Sequence, residues 1–173
     1  MTEAQRLSPQ EHYARRAKLI ASASMIIRDP LGRVLLVHTT YGARLWELPG
    51  GGLEPGEYPA PAAQREVAEE LGLDIESGRL LAADLVPYTP PIDDAAPGLL
   101  SNWLFDGGIL EPSAAATIRL DPAEVDEARF CDQAEYHARL PAHMARRVDA
   151  CLNAVAGGQT AYLQHGFPPA ASS

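Results

Sequence analysis

The stretch Gly51–Leu73 constrains this chain more than any other. It is entered through a glycine-rich turn, Gly50, Gly51 and Gly52 with Gly56 close behind. Glycine at such a turn lets backbone approach a ligand closely, because no Cβ stands in the way. A helix has to follow. Pro59 and Pro61 are compatible only with its first turn, where the missing N–H groups have no intrahelical partner in any case. Gly72 is placed to close the helix in the left-handed conformation. The result is a turn–helix unit with the glycines at the helix's N-terminal end.

On that helix Glu66 and Glu70 stand at i and i+4, Glu69 lies between them at i+3, and Arg65 precedes Glu69 by one turn. A charged run of this kind is most often a solvated, salt-bridged face. That reading fits poorly here. Like charges at i,i+4 repel by about 0.2–0.5 kcal/mol, and an arginine N-terminal to its glutamate is in the less favourable order. A cation held between the carboxylates removes the conflict. Hard divalent ions take oxygen ligands, and Mg²⁺ in particular binds through a few carboxylates together with water and substrate phosphates.

The spacing Gly51, five residues, Glu57, seven residues, Arg65-Glu66-Val67, one residue, Glu69-Glu70, one residue, Gly72-Leu73 resembles the Nudix box at every defining position, and Leu48-Pro49-Gly50 resembles its usual lead-in. The resemblance implies an α/β fold: a Nudix-type α/β/α sandwich with a mixed, curled β-sheet, the box helix on one side and the C-terminal helices on the other. It further implies hydrolysis of the diphosphate linkage in a nucleoside diphosphate joined to another group, such as ADP-ribose, a nucleotide sugar or a (d)NTP-like compound. Carried over position by position, Glu66, Glu69 and Glu70 hold Mg²⁺ or Mn²⁺, assisted by Glu57 and the backbone carbonyl of Gly50, with Gly51 beside the substrate. Arg65 orients the helix carboxylates. The base that deprotonates the attacking water stays open between Glu66, Glu69 and a glutamate of the later acidic loop. Two other readings stand beside this one: a prenyl or other non-nucleoside diphosphate as substrate, and a non-catalytic nucleotide-binding regulatory module. The second is disfavoured because every box carboxylate is present. Similar proteins are commonly homodimers.

Length and composition set the outer limits. A chain of 173 residues suffices for one domain that buries roughly 70% of its unfolded surface. A formal charge of −9 argues against non-specific nucleic-acid binding, which needs a basic footprint. It also makes an anionic small-molecule substrate dependent on metal ions or local arginines that invert the field. Cys131 and Cys151 have no Cys or His neighbour at metal-ligand spacing, so they read as reduced, buried thiols of a cytosolic protein. The N-terminus lacks an apolar stretch behind a basic start, and no run of about 18 apolar residues could span a bilayer. A cytoplasmic protein with no membrane partner is the expectation.

Along the chain, Ser8-Pro9-Gln10-Glu11 carries a capping-box pattern that opens a short charged helix to about Lys18. This arm, residues 1–18, docks either on its own domain or on a second subunit. A domain over residues 19–156 and a tail over 157–173, frayed at its end, complete the division. Strands are expected at Leu19–Arg28, Arg33–Thr40, Leu45–Leu48, Arg79–Val86, Leu99–Asp106 and about Ala116–Leu120, with a turn at Gly107-Gly108 before the last of these. Trp46 either packs in the core or stacks on a planar ligand. Arg44, just upstream of the glycine turn, is either a phosphate contact or a surface residue. Pro87–Gly98 forms a long loop in which Tyr88 could stack on a base or sugar. The acidic loop Asp121–Glu127 either turns in solvent or brings Glu124 or Glu127 to the metal site. Gln133–Leu140 and Pro141–Ala156 read as helices, the second with an apolar stripe through Met144, Val148, Cys151, Leu152 and Val155. His137 and His143 show no organised partner.

Overall fold

The computed structural model describes residues 8–16, 19–88 and 98–170, the side chains of 13, 14 and 88 excepted. Its elements, in order, are α1 (Pro9–Ala14), β1 (Leu19–Arg28), β2 (Val34–Thr39), β3 (Trp46–Glu47), β4 (Gly50–Gly52), α2 (Pro59–Leu71), β5 (Leu80–Tyr88), β6 (Gly98–Ile109), α3 (Pro112–Ala115), β7 (Val125–Cys131), α4 (Gln133–Arg139), α5 (Ala142–Gly157) and β8 (Ala161–Gln164).

The described strands form one eight-stranded mixed sheet with a main path β3-β2-β1-β6-β5-β8. β1 runs parallel to β6 and β5 parallel to β8; the other pairings are antiparallel. β1 and β2 form a hairpin, but the two strands pair only at its base, Arg28↔Val34. Beyond that point they part. β2 pairs with β3 and β7, and β1 takes β4 alongside it, with Ser24, Ala23 and Ser22 opposite Gly50, Gly51 and Gly52. The segment from Trp46 to Gly52 therefore crosses from one parted strand to the other, and it delivers the glycine turn to the edge of β1.

Period-two alternation sorts the strand residues onto two cores. Ala23, Met25, Ile27, Leu35, Val37 and Phe105 face α2, where Ala62, Ala63, Val67 and Leu71 are fully buried. Ile26, Val34, Leu36 and Leu104 face α4 and α5, packing on Tyr136, Val148, Cys151 and Ala154. The α/β/α sandwich is thus two apolar layers on either side of one sheet. Burying Val67 and Leu71 contributes about 1.5–3 kcal/mol each. Both helix ends follow the sequence signals: Pro59 opens α2, and Gly72 closes it at φ 64° with its N–H donating to the Ala68 carbonyl at 3.0 Å. Cys131 and Cys151 are free and buried. No helix among the described residues is long and apolar enough to cross a membrane.

Several expectations need correcting. Gly107-Gly108 do not turn the chain: β6 runs through them, and Gly108 (φ 73°) lies where the β1/β6 register shifts. The strand expected at Ala116–Leu120 is absent. Pro112 instead starts the short α3, and the following backbone docks on the end of α2, Arg119 N–H donating to the Leu71 carbonyl at 2.8 Å. The first helix ends at Ala14 rather than near Lys18. The acidic loop is shorter than expected, since β7 already begins at Val125. Past α5, β8 adds an edge strand beside β5 and buries Leu163; the end of the tail, residues 171–173, lies outside the described residues. Residues 89–97, most of the expected long loop, lie outside the described residues.

Candidate functional site

Two glycines bring the box helix against the sheet. At Gly50 φ is 145°, and a Cβ there would fall 2.3 Å from the Ala23 carbonyl oxygen and 2.5 Å from the Ser24 Cα. The Gly50 N–H donates to Glu70 Oε2 at 2.9 Å. At Gly51 a Cβ would lie 2.5–2.6 Å from the carboxylate of Glu66. Two of the helix carboxylates are therefore seated directly on the glycine turn, as a chain without side chains at these positions permits.

Arg65 gathers the others. Its Nε and Nη2 donate to the two oxygens of Glu57 at 3.0 and 2.9 Å, its Nη1 to Glu66 Oε1 at 2.8 Å and Glu69 Oε2 at 2.9 Å, and Nη2 also to the Gly52 carbonyl at 3.0 Å. The planar fork of the guanidinium makes this multiple engagement geometrically feasible. It raises the Arg65 pKa, chiefly through Glu57, and holds Glu57 below the usual carboxylate range. Glu70 is in the opposite situation. It is only 2% exposed, and burial pushes its pKa up to about 8, only partly offset by the Gly50 N–H. Burial also raises Glu66, against the pull of Arg65.

Oxygen donors of this kind suit a hard divalent ion, and Glu66 and Glu70 abut the same two glycines. Yet among the described residues no three carboxylate, imidazole or thiol groups converge closely enough to hold a metal as they stand. The cause is visible: Glu57, Glu66 and Glu69 are turned onto Arg65, and Glu70 onto Gly50. The donor set fits a hard ion in kind.

A cleft of about 240 Å³ opens against the other side of the glycine turn, lined by Gly50–Gly52, Ser22, Glu47, Asn102, His143 and Arg147. Tyr41 lines it as well, and the charges of Glu47, Glu70, Glu124 and Glu66 all bear on its hydroxyl, with burial the larger cause of its raised pKa. Tyr41 and Glu47 thus connect the cleft with the carboxylates. Behind them a buried ion pair, Arg147 Nε to Asp84 Oδ2 at 2.9 Å, ties α5 to β5.

The remaining sequence candidates are dispersed. Arg44, in the left-handed conformation at φ 52°, pairs with Asp126 on the surface and does not line the cleft. Trp46 packs against the α4/α5 core, 5.3 Å from the His38 ring and with Arg139 over its face. Tyr88 ends β5, and its side chain is outside the described residues. Of the two loop glutamates, Glu124 raises the pKa of Glu66 and Glu70 by its charge, whereas Glu127 is paired with Arg129 at 2.8 Å. The histidines are not partnerless: His137 meets Asp149 at 2.9 Å, and His143 lies 4.7 Å from the His165 ring and lines the cleft. Asn102, Asp84 and Arg147 went unnoticed in the sequence. A polar or charged residue at an inward position of an otherwise apolar strand or helix is the signal that marks them.

Fold and site together define a class: an α/β/α sandwich whose glycine turn and following helix carry a carboxylate-rich site. A family model described as NUDIX domain matches residues 18–151, and the chain belongs to that family. Over 62 residues it is 39% identical to an RNA pyrophosphohydrolase of Yersinia enterocolitica, covering 36% of this chain and 35% of that one; the chain thus matches about a third of the length of these curated relatives. Similar solved structures include a MutT protein from Methanosarcina mazei Go1 (23% identity, TM-score 0.63, covering 84% of this chain and 99% of that one). An Ap4A hydrolase from C. elegans is also similar (22%, TM-score 0.58, 81% and 99%), as is an ADP-ribose pyrophosphatase from Streptococcus suis 89-1591 (19%, TM-score 0.55, 84% and 98%). At these identities the structural likenesses establish the fold.

Proposed function

We propose that this chain is a metal-dependent NUDIX pyrophosphohydrolase acting on a small-molecule diphosphate, a nucleoside diphosphate joined to a further group. The observation that supports this best is the seating of Glu66 and Glu70 on Gly50 and Gly51, the same glycines that wall the cleft. A diphosphate lying over the turn meets backbone on one side and carboxylates on the other. Mg²⁺ or Mn²⁺, held by Glu66, Glu69 and Glu70 with Glu57 and the Gly50 carbonyl, supplies the charge neutralisation that an anionic substrate requires. The chain's own residues do the rest. Arg65 positions the carboxylates, and the glycine turn admits the phosphates. A glutamate takes the proton of the water whose oxygen attacks phosphorus, while the bridging P–O bond breaks and the departing phosphate carries away the electron pair. The base is one of Glu66, Glu69 and Glu124. ADP-ribose, nucleotide-sugar and (d)NTP-like substrates all satisfy this reading. An RNA substrate, raised by the RNA pyrophosphohydrolase relatives, is disfavoured by the charge of −9.

A panel of diphosphates, nucleotides and a triphosphorylated oligonucleotide, assayed by mass spectrometry with Mg²⁺, tests the proposal. Turnover of at least one small diphosphate is expected, and thorough EDTA treatment should abolish it. Glu70→Gln should lower kcat by about 10³, roughly 4 kcal/mol of barrier. Turnover that survives both changes refutes the mechanism.

A further inference from the structure

Across the α4/α5 face of the sheet, three adjacent strands place polar residues in one row. Ser22 of β1 pairs with Asn102 of β6, and Asn102 with Asp84 of β5. On its outer side Ser22 pairs with Gly52, so the row starts at the glycine turn, and its first two members, Ser22 and Asn102, line the cleft. Two of its members are spent within the protein. Asp84 accepts from Arg147 Nε at 2.9 Å and from the Gly166 N–H at 3.1 Å, which occupies both carboxylate oxygens. Ser22 Oγ donates to Asn102 Oδ1 at 2.8 Å, which fixes the carboxamide with its oxygen toward β1.

That leaves Asn102 Nδ2. The residue is 8% exposed, it lines the cleft, and its amide nitrogen is buried with no hydrogen-bond partner among the described residues. Buried donors in folded proteins are nearly always satisfied, and leaving one unmet costs about 1–3 kcal/mol. A donor left open on the floor of a cleft is a place for an acceptor from the ligand. Glu47, whose side chain carries an acceptor, is also among the residues that line the cleft.

We propose that Asn102, oriented by Ser22, reads the nucleobase: its carboxamide N–H donates to a ring carbonyl, while Glu47 accepts from the ring N–H beside that carbonyl. The ligand class that offers this pair is a 6-keto purine or a 4-keto pyrimidine. Adenine and cytosine present the reverse, an amino donor beside a ring-nitrogen acceptor, and would set donor against donor at Asn102. This inference rests on the proposed function for the identity of the ligand, but its recognition chemistry is separable from turnover.

The test is equilibrium binding of matched nucleoside diphosphates in Mg²⁺: inosine against adenosine diphosphate, and uridine against cytidine diphosphate. Each pair differs only in the edge Asn102 would read. The wild-type protein should bind the keto member about tenfold or more tightly, the size expected for one buried hydrogen bond made or lost. Asn102→Ala should bring both ratios close to one. Asn102→Asp, which presents oxygen where nitrogen stood, should lower them further. Because an aspartate there faces Asp84 across the strands, circular dichroism and a urea midpoint accompany each variant, and the wild-type ratios stand even if a variant does not fold. Equal binding, a preference for the amino member, or no binding of any of the four overturns the assignment. Hydrolysis in the diphosphate panel, with and without EDTA, reports separately on the enzymatic reading: a protein that binds keto nucleotides selectively but turns nothing over keeps Asn102 and loses the reaction.

Discussion

Replacing Gly51 by alanine separates the site from the fold. The new Cβ would stand 2.5 Å from Glu66 Cδ and 2.6 Å from each carboxylate oxygen, where ordinary contact begins near about 3.5 Å. Something must move by about 1 Å. Gly51 is not in the left-handed region, and the atoms it meets are the far end of a flexible side chain, so the backbone accepts alanine and Glu66 gives way, leaving its 2.8 Å bond to Arg65. The cost to folding should stay within about 1 kcal/mol. A misplacement of about 1 Å in a reacting group costs roughly 10² in rate, near 2.7 kcal/mol of barrier. Gly50→Ala supplies the contrast: its Cβ would strike the Ala23 carbonyl oxygen at 2.3 Å and the Ser24 Cα at 2.5 Å, at φ 145°, and neither backbone atom can yield. The assay pairs kcat on the best diphosphate of the panel with a urea unfolding midpoint. Gly51→Ala should lose about two orders of magnitude in kcat and little stability, while Gly50→Ala should lose stability first. Wild-type kcat in Gly51→Ala, or an unfolding midpoint as low as that of Gly50→Ala, would refute the reasoning.

Two predictions concern the frame around the site. Arg147→Met leaves Asp84, which is fully buried, facing only the Gly166 N–H; breaking such a pair costs about 3–5 kcal/mol, and replacing Asp84 as well by a neutral residue of similar size should restore most of it in urea titrations. Persistence of the full cost in the double variant would count against the pair. Asp29 turns the β1–β2 hairpin. Burial works to raise its pKa, but the Arg33 side chain and the N–H groups of Arg33 and Leu31 outweigh it, so the carboxyl titrates below its ordinary value. A depressed carboxylate stabilises the fold above its unfolded pKa, near about 4, and that contribution is lost as pH falls through the lower folded value. The cost of Asp29→Asn should therefore be full at pH 7 and shrink steadily below about pH 4; a cost independent of pH would mean the charge contributes nothing.

The parts of this structure that local chemistry dictates were legible in the chain. Pro59 and Gly72 bound α2, and Ser8 and Glu11 exchange the reciprocal capping contacts at the start of α1. What escaped depends on partners distant in sequence. β6 continues through two glycines because β1 lies parallel to it, and the register shift between them takes up the extra residue of β6. β8 becomes a strand because the edge of β5 is available to it. The cleft residues belong to the same category: Ser22, Asn102 and Arg147 come together only through β1/β6 pairing and the docking of α5, and no spacing within any one of their segments announces it.

The helix carboxylates show how a local signal can be right about the conflict and incomplete about its resolution. Repulsion along Glu66, Glu69 and Glu70 calls for a positive charge between them, and the nearest one is in the motif itself. Arg65 reaches Glu57, Glu66 and Glu69 at 3.0 Å or less. One guanidinium cannot balance the group: with Glu57 and Glu70 included, four carboxylates face a single fixed cation, and Glu124 adds its field from the loop before β7. Glu70 meets that excess by burial against Gly50, the least favourable place for a charge. A dication entering beside Gly50 would relieve what Arg65 leaves over, and it would draw Glu66 and Glu69 from the guanidinium more readily than Glu57, which two parallel hydrogen bonds hold. On the proposed function Arg65 would stand in for part of the metal's charge and hold Glu57 by a two-point contact, which suits an arginine rather than a lysine.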